Sequence, residues 1–168
     1  PDTPEWTPPT LVQSTIESIP AVQVNEAISL MEIIAEQGGR VKGFDLASRL
    51  SCDYLHVLLM AKATELFDLV DTPRNDILLT DLGRRFIKGD INERKKMLNA
   101  QMRTLRIAQL FKDKIESSNE KKLLWKDALP WMQELLPNEK NEEVLDTLIQ
   151  WGRYSEVFGY NDDTGEIY

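Results

Sequence analysis

The stretch Leu69-Val70-Asp71-Thr72-Pro73-Arg74-Asn75-Asp76-Ile77-Leu78-Leu79 decides the fold class. Leu69-Val70 and Ile77-Leu78-Leu79 are short β-prone runs, and the residues between them are turn formers, so the stretch reads as a hairpin. Upstream, Ala27, Leu30, Met31 and Ile34 recur at helical spacing, with Ile28 and Ile33 widening the apolar face and Gly38-Gly39 supplying a stop. Val41 reads as a single strand contact. Residues 44–50 and 53–67 read as two further helices, parted by Ser51-Cys52, with Asp53 near a cap position. Three helices followed by a hairpin is the order of a winged helix.

Downstream, Thr80 is placed to cap a helix carrying Arg84, Arg85 and Phe86, and residues 92–115 read as one long helix. Its apolar positions Leu98, Met102, Leu105, Ala108, Phe111 and Ile115 step by three or four, a continuous stripe that needs a partner. Ser117-Ser118-Asn119 ends it. Residues 125–136, with Pro130 inside, and residues 139–156 read as two more helices. The chain then closes on a second hairpin, with 157–160 and 166–168 bracketing Asn161-Asp162-Asp163-Thr164-Gly165. The expectation is a mainly α fold with short β-hairpins. A Pro-rich linker over residues 1–18 precedes a winged-helix-like unit over residues 19–90. A helical unit over residues 91–168 ends in a β-hairpin and repeats the same plan, packed through the long helix.

At 168 residues the chain has the size of one domain, or of two halves of roughly 80 residues each. Its 42% hydrophobic and 29% charged content is that of an ordinary globular protein. No run nears the roughly 18 apolar residues of a membrane span, and residues 1–10 lack a signal-peptide profile. Prolines at positions 1, 4, 8 and 9 disfavour helix there, so the start reads as a linker from a larger polypeptide. The lone Cys52 excludes an internal disulfide and suits a reducing, cytoplasmic setting. Charge is segregated: residues 1–83 hold 5 basic and 13 acidic residues, residues 84–114 hold 10 and 3, and residues 115–168 hold 5 and 12. A basic island thus lies between acidic flanks that repel a phosphate backbone.

Several stretches together resemble a known family. They are Ile19-Pro20 with residues 25–30, Gly38-Gly39-Arg40-Val41, Asp45-Leu46-Ala47, Asp76-Ile77-Leu78-Leu79-Thr80 with Gly83 and Phe86, Glu93-Arg94-Lys95, and Trp151-Gly152-Arg153-Tyr154-Ser155-Glu156-Val157-Phe158. In order and spacing they resemble the C-terminal AAA-associated domain that follows the ATP-binding cassette in ATPase subunits of nitrate, sulfonate, taurine or bicarbonate-type ABC importers. The resemblance implies a non-catalytic regulatory domain that modulates the cassette through ligand sensing or domain pairing. Its implied partners are the cassette of the same or a partner subunit, a second copy, and a small anion or nucleotide. Its implied place is cytoplasmic, peripheral to the inner membrane through the transporter complex. The chain departs from that architecture in lacking the cassette: no GxxxxGK loop occurs in it, so the reading is not an enzyme and takes no cofactor.

Two sets of residues are candidate sites. Arg94, Lys95, Arg103 and Arg106 in the basic island could hold an anion or an acidic partner, with Glu93 to Lys96 at the start of the long helix where free N–H groups favour anions. The competing reading is a solvated face neutralised by the chain's own carboxylates. Trp151, Arg153, Tyr154 and Phe158 could form a docking surface, Trp, Tyr and Arg being common interface anchors, or could simply pack in the core. Cys52 and His56 lie four apart but offer only two of the four ligands that structural zinc wants, and the acidic turn at 161–166 lacks calcium-loop spacing, so no metal site is expected. A winged-helix DNA-binding transcription regulator is the alternative function. Nucleic acid is disfavoured because the candidate recognition helix offers only Lys62 and His56 against Asp53 and Glu65.

Overall fold

The computed structural model describes residues 16–168. Most of the expected linker, residues 1–15, lies outside the described residues. Of the three that are described, Glu17 is buried and Ser18 Oγ donates to Glu139 Oε1 at 3.0 Å.

The first half runs α1 (Val24–Glu36), β1 (Arg40–Lys42), α2 (Gly43–Leu50), α3 (Tyr54–Leu66), β2 (Val70–Asp71) and β3 (Asp76–Leu79). Local signals account for its punctuation. Gly38 and Gly39 leave α1 with φ of 86° and 94°, a left-handed turn that glycine adopts without strain. Thr80 caps α4 (Asp81–Lys88), its hydroxyl accepting from Gly83 N at 2.9 Å while donating to Asp68 O at 2.6 Å. The three strands form an antiparallel sheet in the order β1-β3-β2.

The expected single helix over residues 92–115 is corrected to two, α5 (Ile91–Met102) and α6 (Arg106–Ser117), broken at Arg103-Thr104-Leu105. The cause is remote in sequence. The carboxylate of Glu17 accepts from Arg106 N at 2.7 Å and from Ile107 N at 3.0 Å, capping a fresh helix start where an unbroken helix would have used those donors itself. The apolar stripe survives the break, since Leu98, Met102, Leu105, Ala108, Phe111 and Ile115 are all buried.

After α6 and a 3₁₀ turn (Asn119–Lys121) come β4 (Leu123–Leu124), α7 (Trp125–Leu135), α8 (Asn141–Ser155), β5 (Tyr160–Asn161) and β6 (Glu166–Ile167). Strand β4, absent from the sequence reading, pairs Leu123 with Ile167 and Leu124 with Glu166. The second sheet therefore has the order β4-β6-β5. From α6 onward the chain repeats the order helix, strand, helix, helix, strand, strand, with the same strand arrangement as the first half. One buried core cluster runs through both halves. Helix α8 packs on α7, α5 and α1, whereas α3 packs on α2 and α1.

Candidate functional site

The four basic candidates do not converge. Arg94 is turned inward: Nε donates to Phe86 O at 3.0 Å, a second guanidinium nitrogen donates to Ile87 O at 2.8 Å, and the third lies 3.5 Å from Glu32. It thus caps the last carbonyls of α4 and ties α5 to α1, with its guanidinium 5.5 Å from the Phe86 ring centroid. Lys95 lies 3.7 Å from Glu156 and 5.7 Å from the Tyr154 ring centroid. Burial raises the Tyr154 phenol above its ordinary pKa, and nearby Arg94 partly opposes that shift. Arg103 donates to Asn99 Oδ1 at 2.8 Å and borders a shallow groove of about 350 Å³ with Gln109, Lys112 and Asp113. Arg106 is engaged through its backbone by Glu17.

Both helix starts that could attract an anion are filled by the chain itself. At α5, Asp90 Oδ1 accepts from Glu93 N at 2.9 Å and Glu93 Oε2 accepts from Asp90 N at 2.8 Å, a reciprocal capping box. At α6 the anion is Glu17. Arg94 and Lys95 are thus paired with the chain's own carboxylates and both helix starts are capped, which favours the competing reading made from sequence at these positions.

The aromatic candidates divide. Trp151 is 1% exposed and Phe158 4% exposed, which corrects their assignment to a docking surface. Trp151 Nε1 donates to Val22 O at 2.7 Å, and its ring meets Phe67 edge-on at 4.8 Å, pinning the second half to the first. Phe158 meets Phe111 edge-on at 5.1 Å and fills space that exists because residue 152 is glycine. A Cβ on Gly152 would sit 2.0 Å from the Phe158 ring. Arg153 and Tyr154 stay at the surface, lining a groove of about 380 Å³ with Asp146, Ile149, Gln150 and Tyr160. Arg153 is already matched to Asp162 at 3.2 Å and lies 5.7 Å from the Tyr160 ring centroid.

Sequence reasoning missed a different surface. Helix α3 buries Val57, Met60, Ala61, Ala63 and Thr64, yet exposes Leu55, Leu58 and Leu59 in a stripe that continues to Lys62. Beside it, Phe44 of α2 is 66% exposed and stacks on Tyr54 at 4.1 Å. The signal was present in the run Leu55-His56-Val57-Leu58-Leu59-Met60, which holds more apolar residues than one helix face can bury. The counterpart helix α8 instead exposes Glu142, Glu143, Asp146 and Arg153. Neither third helix presents the clustered Lys and Arg that counterion release requires.

The remaining motifs have local roles. His56 Nε2 lies 2.9 Å from Glu26 Oε1, and Cys52 is half-buried with a thiol pKa pushed up by burial and by Asp53 and Glu26. Asn161 Oδ1 accepts from Asp163 N at 2.9 Å and Thr164 N at 3.3 Å, which folds the acidic turn as an Asx turn. Among the described residues, no helix is long and apolar enough to cross a membrane.

Compared with known proteins, residues 44–161, most of the chain, match the model of the family described as the C-terminal AAA-associated domain. No curated protein and no solved structure matches.

Proposed function

The chain belongs to the C-terminal AAA-associated domain family, and from that membership we propose that it is a non-catalytic accessory domain of an ABC importer's ATPase subunit. In this reading both halves are winged-helix units turned from nucleic acid to protein contact. The domain modulates the cassette of the same or a partner subunit by shifting between docked and released states, at the cytoplasmic side of the inner membrane. An anion such as nitrate, sulfonate or bicarbonate is the transported solute.

The observation that carries the reading beyond the family match is the character of the two third helices. In a DNA-binding winged helix that element faces the duplex with cations. Here one copy is leucine-rich and the other is acidic. A surface of that kind selects a protein, and a two-state effect on an enzyme requires only that the partner bind one state better.

The test is the ATPase rate of the subunit that carries or binds this chain, measured with the domain intact, deleted, and altered by Leu55→Asp. A changed rate on deletion, reproduced by Leu55→Asp, supports the proposal; an unchanged rate and no physical association with the cassette refute it. A salt-dependent gel shift on duplex DNA separates the transcription-regulator alternative, for which the two helix faces predict no shift even at low salt.

A further inference from the structure

We infer that residues 103–105 are a hinge at which two copies of this chain exchange their second halves. In the exchanged form α5 and α6 run on as one helix from Ile91 to Ser117, and in the closed form Glu17 is the latch that keeps them apart. The inference gives a form to the domain-pairing arm of the function proposed above and rests on that reading for its role. It is measured on the chain alone, so its failure leaves the accessory role to the ATPase experiment.

The hinge falls between the two repeated units. Arg103-Thr104-Leu105 is the covalent link between them, and the remaining ties are contacts. Trp151 Nε1 donates to Val22 O at 2.7 Å, Val24 N donates to Gln150 Oε1 at 3.2 Å, and Asn99 Nδ2 donates to Ser155 O at 2.8 Å. Helix α8 lies on α5 and α1. Contacts of this kind are remade unchanged when the two sides come from different copies, which is why exchange is a low-cost route to a dimer.

Local signals at the hinge favour helix. It holds no Gly or Pro, Met102, Arg103, Leu105 and Arg106 are strong helix formers, and the apolar stripe from Leu98 to Ile115 keeps one face across it. Arg103 already has helical φ and ψ, whereas Leu105 is extended with ψ of 127°. Two side-chain bonds at the break are of kinds that a helix also makes: Thr104 Oγ1 to Gln101 O at 2.6 Å, and Arg103 Nε to Asn99 Oδ1 at 2.8 Å. Two others belong to the break. Glu17 accepts from Arg106 N and Ile107 N, and Gln109 Nε2 donates to Arg103 O at 2.7 Å. Returning the segment to helical φ and ψ hands Arg106 N to Met102 O and Ile107 N to Arg103 O, the ordinary α-helical bonds, and releases Glu17.

Packing then selects a second copy. Helix α8 lies on α5, while Phe158, just past α8, meets Phe111 of α6, whose ring also stacks on Trp131 of α7. Within one copy a continuous helix would tear one set of contacts from the other. With two copies both survive, because α7 and α8 follow their own α6 and α8 lands on α5 of the other copy.

The test is to unfold the 168-residue chain in urea, refold it at about 1 μM and at about 1 mM, and separate the products by sedimentation velocity. Monomer at the lower concentration and dimer at the higher are expected. Each closed copy loses one cap in Glu17→Ala and two copies make a dimer, so that change raises the dimerisation constant at least about fivefold. Adding Arg106→Pro to Glu17→Ala returns the chain to monomer. Arg106 is the first residue of α6, where proline is tolerated, and Leu105 already has the extended backbone that proline asks of its predecessor. Inside a continuous helix the same proline breaks it. In dimer refolded from mixed isotope-labelled and unlabelled chains, filtered nuclear Overhauser spectra should connect Trp151 of one copy to Phe67 of the other, rings that lie 4.8 Å apart in the closed form. Absence of dimer from both the parent chain and Glu17→Ala at about 1 mM overturns the inference. So does a dimer that survives Arg106→Pro, or one whose Trp151 and Phe67 contacts all lie within single chains. A dimerisation constant indifferent to Glu17→Ala refutes the latch.

Discussion

Replacing Trp151 by phenylalanine tests whether this residue belongs to the joint between the halves or to an outer surface. The substitution keeps an aromatic ring but deletes the Nε1–H that Val22 O accepts at 2.7 Å, at a residue 1% exposed. An unpartnered buried carbonyl costs about 1–3 kcal/mol. The smaller ring also leaves space, and truncation of a buried Trp to Ala, about 3–5 kcal/mol, bounds the total from above. An expected loss of about 2–4 kcal/mol follows, which for a chain of this size lowers the thermal midpoint by roughly 4–16 °C. Urea and thermal melts measure it directly. Because the ring meets Phe67 edge-on at 4.8 Å, a double-mutant cycle of Trp151→Leu with Phe67→Leu, in which each single change removes a ring, should return a coupling of about 0.5–1.5 kcal/mol. A loss below about 0.5 kcal/mol, the range of ordinary surface substitutions, would refute the buried-joint reasoning and return Trp151 to the candidate docking residues.

Three further perturbations probe other joints. Gly83→Ala would place a Cβ 2.0 Å from the Leu69 carbonyl oxygen, a backbone atom fixed in the turn before β2, so denaturant melts should show a loss of about 3 kcal/mol or more. Glu17→Ala removes the acceptor for Arg106 N and Ile107 N and should cost about 0.5–2 kcal/mol, as other helix caps do; Glu17→Gln, which still accepts, should recover part of that in the same melt. Asp68 has its pKa raised from 3.8, chiefly by burial and secondly by Asp71. Its neutral form is therefore favoured by folding, so its contribution is most favourable below pH 3.8 and is lost as pH rises through the higher folded value. Asp68→Asn should then melt like the parent chain at the acid end and slightly above it at pH 7, by at most about 0.5 kcal/mol. Asparagine also suits the positive φ of 59° at this position.

Most of the first half was legible because its elements answer to a neighbour in sequence, the exception being β1, read only as a contact at Val41 because it is a strand through β3. Gly38-Gly39 stops α1, Thr80 starts α4, and the turn formers between Val70 and Ile77 close the hairpin. The break between α5 and α6 was not legible. Leu98 to Ile115 keeps its helical stepping across it, and the carboxylate that starts α6 comes from Glu17, outside any local window. Strand β4 escaped for the same reason, since Leu123-Leu124 is a strand only through β6. Residue type alone suggested Trp151 and Phe158 as docking anchors, and tertiary packing decides otherwise. Likewise, no sequence pattern says that Arg94 spends its donors on the last carbonyls of α4.

The two halves share one order of elements yet spend their third helices differently, and this asymmetry bears on function. Helix α8 is clasped by α7, α5 and α1 and holds the joint through Trp151, so its identity answers to the fold. Helix α3 touches only α2 and α1 among the helices it packs on appreciably. Its inner side is filled by Val57, Met60, Ala61, Ala63 and Thr64, and a polar residue at Leu55, 68% exposed, would serve the isolated fold equally well, with more solubility. Stability of the monomer therefore supplies no reason for Leu55. The reason has to come from whatever α3 meets, which makes the first half the displaying unit and the second half the unit that holds it in place.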